Sequence, residues 1–197
     1  MNIQITEVGS DSLAEYGKIS IAYDVIEELD PDSPSDLGSV LPMNTRQTAI
    51  QIVKDYDALP GNRPVDWAAR FDVAEWGVLA AHVDGLHVGG AVVVDDASGV
   101  DMLEGRDDLA VLWDIRVAPA TRGHDVGTAL LSAAEAWACA RGCNEMKVET
   151  QNINVPACRF YARHGFRLGM VSRSAYRELP GEIQLLWYKG LTLTTDS

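Results

Sequence analysis

The chain has 197 residues, enough to bury one sizeable core and too few to require a second, so a single domain over residues 1–197 is expected. Hydrophobic residues make up 47% and charged residues 23%, an ordinary globular balance, and no apolar run approaches the ~20 residues of a membrane-spanning helix. A formal net charge of −13 repels polyphosphate backbones and focuses small cations, which argues against nucleic acid and for a small cationic partner, although the same acidity also serves solubility. The opening MNIQITEVGS has neither a basic lead nor an apolar segment, so no secretory signal or membrane partner is expected and the cytoplasm is the expected compartment.

Ile3, Ile5 and Val8 alternate loosely with polar residues and predict a strand, and Ser10–Asp11–Ser12 carries side chains that open a helix. Residues 18–29 place Ile19, Ile21, Tyr23 and Val25 at period two, which predicts a strand, while Ile26 and Leu29 also fit a helical stripe. Residues 30–39, DPDSPSDLGS, concentrate Pro, Asp, Ser and Gly and predict a loop able to act as a flap. A strand over 49–57 follows, then a short helix entered at Pro64, whose missing N–H is harmless in a first helical turn. From Trp76 to Asp96 two apolar runs flank Asp84–Gly85, a dipeptide suited to positive φ, and predict a hairpin.

Residues 110–119, AVLWDIRVAP, predict a strand stopped by Pro119. Beyond the next loop Val126, Ala129, Leu130, Ala133, Trp137 and Ala138 recur at helical spacing, and Arg141–Gly142 supplies a basic end and a stop. Residues 145–150 predict a strand, 154–165 a second helix ending at Gly165, and two closing strands flank Pro180–Gly181. Hairpins early and late, around a strand–loop–helix–strand–helix unit, predict an α/β or α+β fold whose mostly antiparallel sheet carries one parallel crossover. Cys139, Cys143 and Cys158 lack metal-ligand spacing and read as buried thiols, the first two straddling a helix end. The histidines His82, His87, His124 and His164 are scattered, so no metal site is expected.

The chemistry concentrates between Pro119 and Thr128. A strand, a Gly-containing loop and a helix start present free N–H groups and a partial positive charge, a cradle suited to phosphate. Gly123 and Gly127 permit close backbone approach, Thr128 offers a hydroxyl, and Arg122 and His124 add donors. Small residues before a helix also serve packing, so spacing alone leaves both readings open.

Residues 117–131, VAPATRGHDVGTALL, resemble the R/Q-x-x-G-x-G/A acetyl-coenzyme A loop of the GNAT superfamily of N-acetyltransferases. Residues 152–169, NINVPACRFYARHGFRLG, resemble its N-x-x-A-x-x-F-Y-x-x-x-G-F signature at Asn154, Ala157, Phe160, Tyr161, Gly165 and Phe166. Within the family, LWDIRV, KVETQNINVPACRFY and EIQLLWYK are most similar to the streptothricin acetyltransferases, a set of antibiotic-resistance enzymes. The resemblance covers residues 76–191 and is weak before them. It implies a GNAT fold, a mixed and mostly antiparallel sheet flanked by helices, with central strands that splay between Asp114–Val117 and Lys147–Thr150. Acetyl-coenzyme A would enter that splay as cosubstrate, without a metal.

By the same resemblance the backbone at Ile115 and Val117 pairs with the pantetheine arm. The amides from Arg122 to Thr128, through Gly123, His124, Asp125, Val126 and Gly127, hold the pyrophosphate. Asn154 touches the pantetheine arm, Ala157 belongs to the same matched coenzyme motif, and Tyr161 faces the coenzyme's sulfur. Where this chain has Asp125 the family has glycine. Aspartate tolerates left-handed backbone, so the loop can survive, with the carboxylate either capping the following helix or facing phosphate. In the second case repulsion costs about 1 kcal/mol in water at ~4 Å, and weakened coenzyme binding is expected.

An acceptor amine with a pKa of about 10.4 is almost wholly protonated at neutrality, so a base or water relay must remove a proton. Asp114 and Glu149 are candidate bases and ammonium contacts, Glu182 is a further ammonium contact, and the Tyr161 phenol can donate a proton to the departing thiolate. Plainer roles compete: Asp114 as partner of Arg116, Glu149 as a solvated strand-face acid, Tyr161 as a core aromatic beside Phe160, and Cys158 as packing. The expected reaction is direct acetyl transfer to a small cationic amine, the resemblance favouring the β-lysine amine of streptothricin. Another small amine or a protein lysine are alternatives, as is a coenzyme-binding module without catalysis. A homodimer is expected by family analogy.

Overall fold

The structure is a computed structural model that describes residues 2–34, 40–95, 99–179 and 181–192. In chain order it forms β1 (Ile3–Val8), α1 (Leu13–Tyr16), β2 (Tyr23–Pro34), β3 (Met43–Lys54), α2 (Pro64–Trp67), β4 (Gly77–Val83), β5 (Leu86–Val94), β6 (Leu109–Val117), α3 (Val126–Ala140), β7 (Glu145–Gln151), α4 (Val155–Arg163), β8 (Arg167–Ser172) and β9 (Gln184–Gly190). These group into two units, one holding the chain up to Ala22, Asp55–Met146 and Gly190 onward, the other Tyr23–Lys54 and Lys147–Lys189. No helix among the described residues is long and apolar enough to cross a membrane.

In the first unit β1, β4, β5 and β6 lie side by side in that order, each neighbouring pair antiparallel. The β4–β5 turn takes φ 50° at Asp84 and 82° at Gly85, the doubly positive geometry that matches strand twist. α3 lies across all four strands and buries Val126, Leu130, Leu131, Ala134, Trp137 and Ala138. Leu131 and Ala134 are thus fully covered where strict periodicity points to Ala129 and Ala133, because a helix on a broad sheet buries a wider stripe than a helix–helix seam. At Gly77 a Cβ would sit 2.3 Å from Trp137 Cε2, so only glycine lets this indole lie flat on the strand. The Trp137 Nε1–H donates to Glu7 at 2.8 Å, and Arg141 stacks 3.7 Å from the ring.

The other face is covered by α1, α2 and their loops. Tyr16, Trp67, Val73 and Trp76 pack there on Val78, Val92, Val94 and Val111. Pro64 opens α2 as the sequence predicts, and Tyr16 lies over Gly90 of β5.

In the second unit β2 and β3 form an antiparallel ribbon, and β7, β9 and β8 lie in that order with β8 and β9 antiparallel. Asn152 fastens this unit: its side chain accepts from the Ile183 N–H at 2.8 Å, its own N–H donates to the Ile183 carbonyl at 3.0 Å, and its carbonyl accepts from the Leu29 N–H at 2.9 Å. The Trp187 Nε1–H donates to Thr150 at 2.8 Å in the buried interior. Gly165, at φ 88°, turns the chain out of α4, a conformation that glycine adopts without strain.

Three expectations are corrected. β2 begins at Tyr23, not near Ile19, because Lys18 and Ile19 donate to Glu15 and Tyr16 carbonyls and prolong the turn of α1. It then runs through residues 30–34, where a loop is expected: pairing with β3 continues to Pro34–Met43, with a register shift after Leu29 that accommodates the prolines. β3 correspondingly begins at Met43 rather than Ala49. Residues 35–39 of the expected flap lie outside the described residues.

A Cβ at Gly90 would lie 2.6 Å from the Leu79 carbonyl oxygen and 2.6 Å from the Tyr16 ring. Gly90→Ala is therefore expected to destabilise the fold by about 1–3 kcal/mol, read from the urea midpoint. An unchanged midpoint would show that Tyr16 and β4 move aside without cost.

Candidate active site

β6 changes character half-way along. Leu109 to Leu112 are buried, while Trp113, Asp114 and Ile115 are partly buried, with the Asp114 side chain itself nearly covered. Val92 pairs with Asp114 while Val93 pairs with Leu112, so Trp113 is an extra residue, a β-bulge that re-aims the side chains after it. Trp113 joins an aromatic cluster, 5.1 Å from both Phe71 and Trp76 and 6.2 Å from Trp67 between ring centroids. Neither bulge nor cluster is legible in the sequence, where the tryptophans lie far apart and the apolar run of β6 is continuous up to Asp114.

Past the bulge, Arg116 is 3% exposed. Its Nε donates to Asp114 at 2.8 Å, its Nη1 to Asp57 at 2.8 Å and to the Ile19 carbonyl at 3.2 Å, and its Nη2 to Asp57 at 3.1 Å. The guanidinium also lies 5.0 Å from the Tyr16 ring centre. Burial works against the charge on Arg116, and Asp114 and Asp57 outweigh it, so its pKa is raised. Burial pushes the Asp114 carboxyl up, opposed by Arg116. Burial and then Asp114 push the Tyr16 phenol well above its ordinary value. Asp114 is therefore committed to this network, the alternative that its spacing to Arg116 left open.

The loop after β6 makes a 3-10 turn at Pro119–Thr121 and then enters α3. Among the described residues, the main-chain N–H groups of residues 123–127 find no acceptor within hydrogen-bond reach. Five successive donors at the start of a 15-residue helix, with the helix dipole behind them, form an anion cradle. Gly123 and Asp125 supply the left-handed geometry at φ 79° and 61°. Asp125 is thus tolerated as expected, but its side chain makes no capping bond; only its carbonyl engages the helix, accepting from the Ala129 N–H at 2.9 Å. The cap reading is corrected: with Asp125 itself in the left-handed region, the extended backbone of an ordinary N-cap is lost. Val126 is buried, while Gly127 and Thr128 are half-buried. His124 places Nδ1 3.0 Å from the Arg122 carbonyl, which requires the Nδ1–H form for a bond. Arg122 itself points back along the chain, its Nε donating to the Val117 carbonyl at 3.0 Å, its Nη1 to Ala22 at 3.0 Å and its Nη2 to Ser20 at 3.1 Å.

In the second unit Glu149 is half-buried on β7 and accepts from the Tyr176 hydroxyl at 2.5 Å and the Gln184 side-chain amide at 2.6 Å. Burial and then Glu149 raise the Tyr176 phenol above its usual range. Glu182 is paired with Lys54. The Asn154 side chain caps α4, accepting from the Ala157 N–H at 3.3 Å. Tyr161 is 4% exposed, edge-on to Phe160 at 5.3 Å and Phe166 at 5.4 Å. Cys158 lies in the interior 3.3 Å from the Thr150 hydroxyl, and burial pushes its thiol up to about 12. Cys143 is buried too, its thiol pushed by burial up to about 11, whereas Cys139 is half-exposed, so only two of the three thiols are buried as expected.

Among the described residues no group of three or more His, Cys, Asp or Glu could hold a metal ion. A cavity of ≈ 760 Å³ bordered by Asp95, Asp101, Glu104, Arg106 and Arg141 contains none of the expected site residues. The cradle is an open loop rather than a pit.

The signature of the acetyltransferase (GNAT) family matches residues 47–166, more than half of the chain. The chain belongs to the GNAT family. Two curated relatives are a streptothricin acetyltransferase A of Bacillus subtilis, 43% identical over 81 residues, and a streptothricin acetyltransferase of Escherichia coli, 38% identical over 85. The matches take in 40% and 42% of this chain and 47% and 49% of those proteins, so the chain spans about half the length of each. Among solved structures, nourseothricin acetyltransferase superposes with a TM-score of 0.72 at 21% identity, over 98% of this chain and 100% of that one. A Bacillus anthracis protein crystallised with acetyl coenzyme A gives 0.73 at 22%, over 96% and 99%. These likenesses establish the GNAT fold, a mixed sheet of mostly antiparallel strands with flanking helices.

The Arg159 side chain binds Glu27 of β2 through both nitrogens and holds its carboxyl below the usual glutamate value. A carboxyl with a depressed folded pKa stabilises above its unfolded value and loses that contribution as pH falls through the folded value. The difference in thermal midpoint between wild type and Glu27→Gln is therefore expected to be largest at neutrality. It should shrink once pH drops below the ordinary glutamate value of about 4.3. A constant difference down to acid pH would remove the ion pair as its cause.

Proposed function

We propose that this GNAT-family chain is an acetyl-coenzyme A-dependent N-acetyltransferase acting on a small cationic amine, with the β-lysine amine of streptothricin as acceptor. The observation that carries the reading is the run of five unpartnered amides at residues 123–127, at the helix start where the family's coenzyme loop falls. Those amides would hold the coenzyme's pyrophosphate, with the Thr128 hydroxyl beside them, and the main chain at Ile115 and Val117 would pair with the pantetheine arm. When bound, the coenzyme supplies an activated acyl group as a thioester.

Glu149 fits the role of base. Tyr176 and Gln184 each hold one of its oxygens, so the carboxylate is fixed while both oxygens keep a lone pair for an ammonium. The acceptor nitrogen, once it has given a proton to Glu149 directly or through water, attacks the thioester carbonyl carbon. As the amide forms, the C–S bond breaks, the leaving sulfur takes a proton from Tyr161, and the nitrogen's second proton passes through water to restore the Tyr161 phenol. Asp114 is better suited to supporting β6 than to proton transfer, since its carboxylate is held by Arg116. A thiol held near 12 makes Cys158 a poor nucleophile and favours direct attack over an acyl-enzyme. Asn154 and Ala157 stand at the start of α4 as contacts to the pantetheine arm, the Asn154 amide nitrogen being the group available after its oxygen caps the helix. Glu182, paired with Lys54, is a weaker ammonium contact.

The acceptor class is supported by charge. Of the five carboxylates of β2, those of Glu27, Glu28 and Asp32 are paired with Arg159, Arg46 and Arg173, which leaves Asp24 and Asp30 for a cationic acceptor, and the chain's net charge is −13. The names of the curated relatives point to streptothricin. A second reading, a coenzyme-binding module without catalysis, is motivated by the carboxylate of Asp125 in the cradle.

Incubation with acetyl-coenzyme A and streptothricin is expected to yield singly acetylated antibiotic by mass spectrometry, and Tyr161→Phe to slow turnover and shift its alkaline limb. Tight coenzyme binding with no thiol release against any amine would instead support the binding module. Asp125→Gly is expected to tighten coenzyme binding by about 1 kcal/mol, from removal of one like charge near the phosphates. Equal affinities in calorimetry would place the carboxylate away from the phosphates.

A further inference from the structure

The family motif begins at Arg122, and a permanent cation there suggests a phosphate ligand. The bonds that it makes point elsewhere. We propose that Arg122 is a positioning residue that ties the coenzyme loop to the chain segment leading into the acidic β2–β3 ribbon. The inference rests on the proposed reading of the loop as the coenzyme cradle and of the ribbon as an acceptor-binding element.

All three guanidinium nitrogens of Arg122 are aimed at main-chain carbonyls, Nε at Val117, Nη1 at Ala22 and Nη2 at Ser20, at 3.0, 3.0 and 3.1 Å. Val117 ends β6, and the other two carbonyls lie about a hundred residues earlier in sequence, immediately before β2 starts at Tyr23. Arg116 grips the same segment at the Ile19 carbonyl and also holds Asp57, which follows β3 closely on its far side. The two arginines, six positions apart, thus hold the chain just before and just after the ribbon. A planar fork can bridge three fixed carbonyls in this way, whereas a lysine ammonium on a flexible stem cannot reproduce the arrangement.

The consequence is a link between donor and acceptor handling. The cradle amides begin at the residue after Arg122, so loop and segment share one strut. Loss of the strut should leave the cradle amides in place and loosen the acceptor side, whereas loss of a phosphate ligand would weaken the coenzyme and leave residues 20–22 as they were.

The test compares full-length wild type with Arg122→Ala, Arg122→Lys and Arg122→Gln, the last retaining a polar head should the alanine variant fold poorly. Hydrogen exchange by mass spectrometry over residues 19–23 and calorimetric binding of coenzyme A need no acceptor. Steady-state kinetics with streptothricin adds the acceptor KM. The expected result is faster exchange over 19–23 in all three variants, a coenzyme A Kd within about threefold of wild type, and an acceptor KM raised about tenfold with the donor KM little changed. Unchanged exchange, or a coenzyme A Kd weakened by about tenfold or more, overturns the proposal. If the wild-type protein acetylates no amine, the catalytic reading fails, while exchange and coenzyme binding still decide the role of Arg122.

Discussion

A guanidinium buried in a protein interior must be paired and hydrogen-bonded on its available edges, or the cost of removing it from water goes unanswered. Arg116, 3% exposed on β6, imposes that condition on the first unit. It draws together Asp114 from its own strand, Asp57 from the turn after β3 and the Ile19 carbonyl after α1, with the Tyr16 ring beside it. Gly90, paired with Arg116 across the sheet, leaves the space that Tyr16 fills. The bulge at Trp113 lies immediately upstream.

That arrangement separates two kinds of chemistry. In the proposed reading, anion binding falls to main-chain donors at the start of α3, where Gly123 and Asp125 are both left-handed. Backbone amides placed this way cannot rotate out of position, and their dipoles need no reorganisation when an anion arrives. Proton handling, in the same reading, would fall to side chains, and the surroundings sort the candidates. Asp114 and Glu182 are paired with cations, Cys158 is held protonated by burial, and Glu149 is steadied by two neutral donors that leave its charge uncompensated. A carboxylate held by neutral donors can still attract an ammonium. One already joined to arginine or lysine does so far less.

Several residues named from sequence as site candidates have a structural role. Asn154 caps α4, Arg122 braces the chain before β2, and Tyr161 packs between Phe160 and Phe166. In each case the bonds that fix the element also fix what it presents. Asn152 is the counterpart: a buried polar residue fastening β2 and the stretch before β9 through its side chain and its main chain. In the sequence nothing marks Asn152, whereas Asn154 heads the family signature.

The sequence by itself determined the hairpin at Asp84–Gly85, α3 after a cradle loop, α4 ending at Gly165 and the family motifs, because each depends on local periodicity, turn residues or fixed spacing within a few turns of chain. Only the tertiary structure decided that residues 30–34 pair as a strand, that Asp125 enters α3 without capping it, that Trp113 is a bulge, and that the cations of Arg116 and Arg122 are directed at segments about sixty to a hundred residues away. Those outcomes depend on which distant carbonyls, carboxylates and rings meet once the sheet has formed. A charge reads the same in sequence whether it faces solvent, a ligand or its own chain, and only packing selects among them.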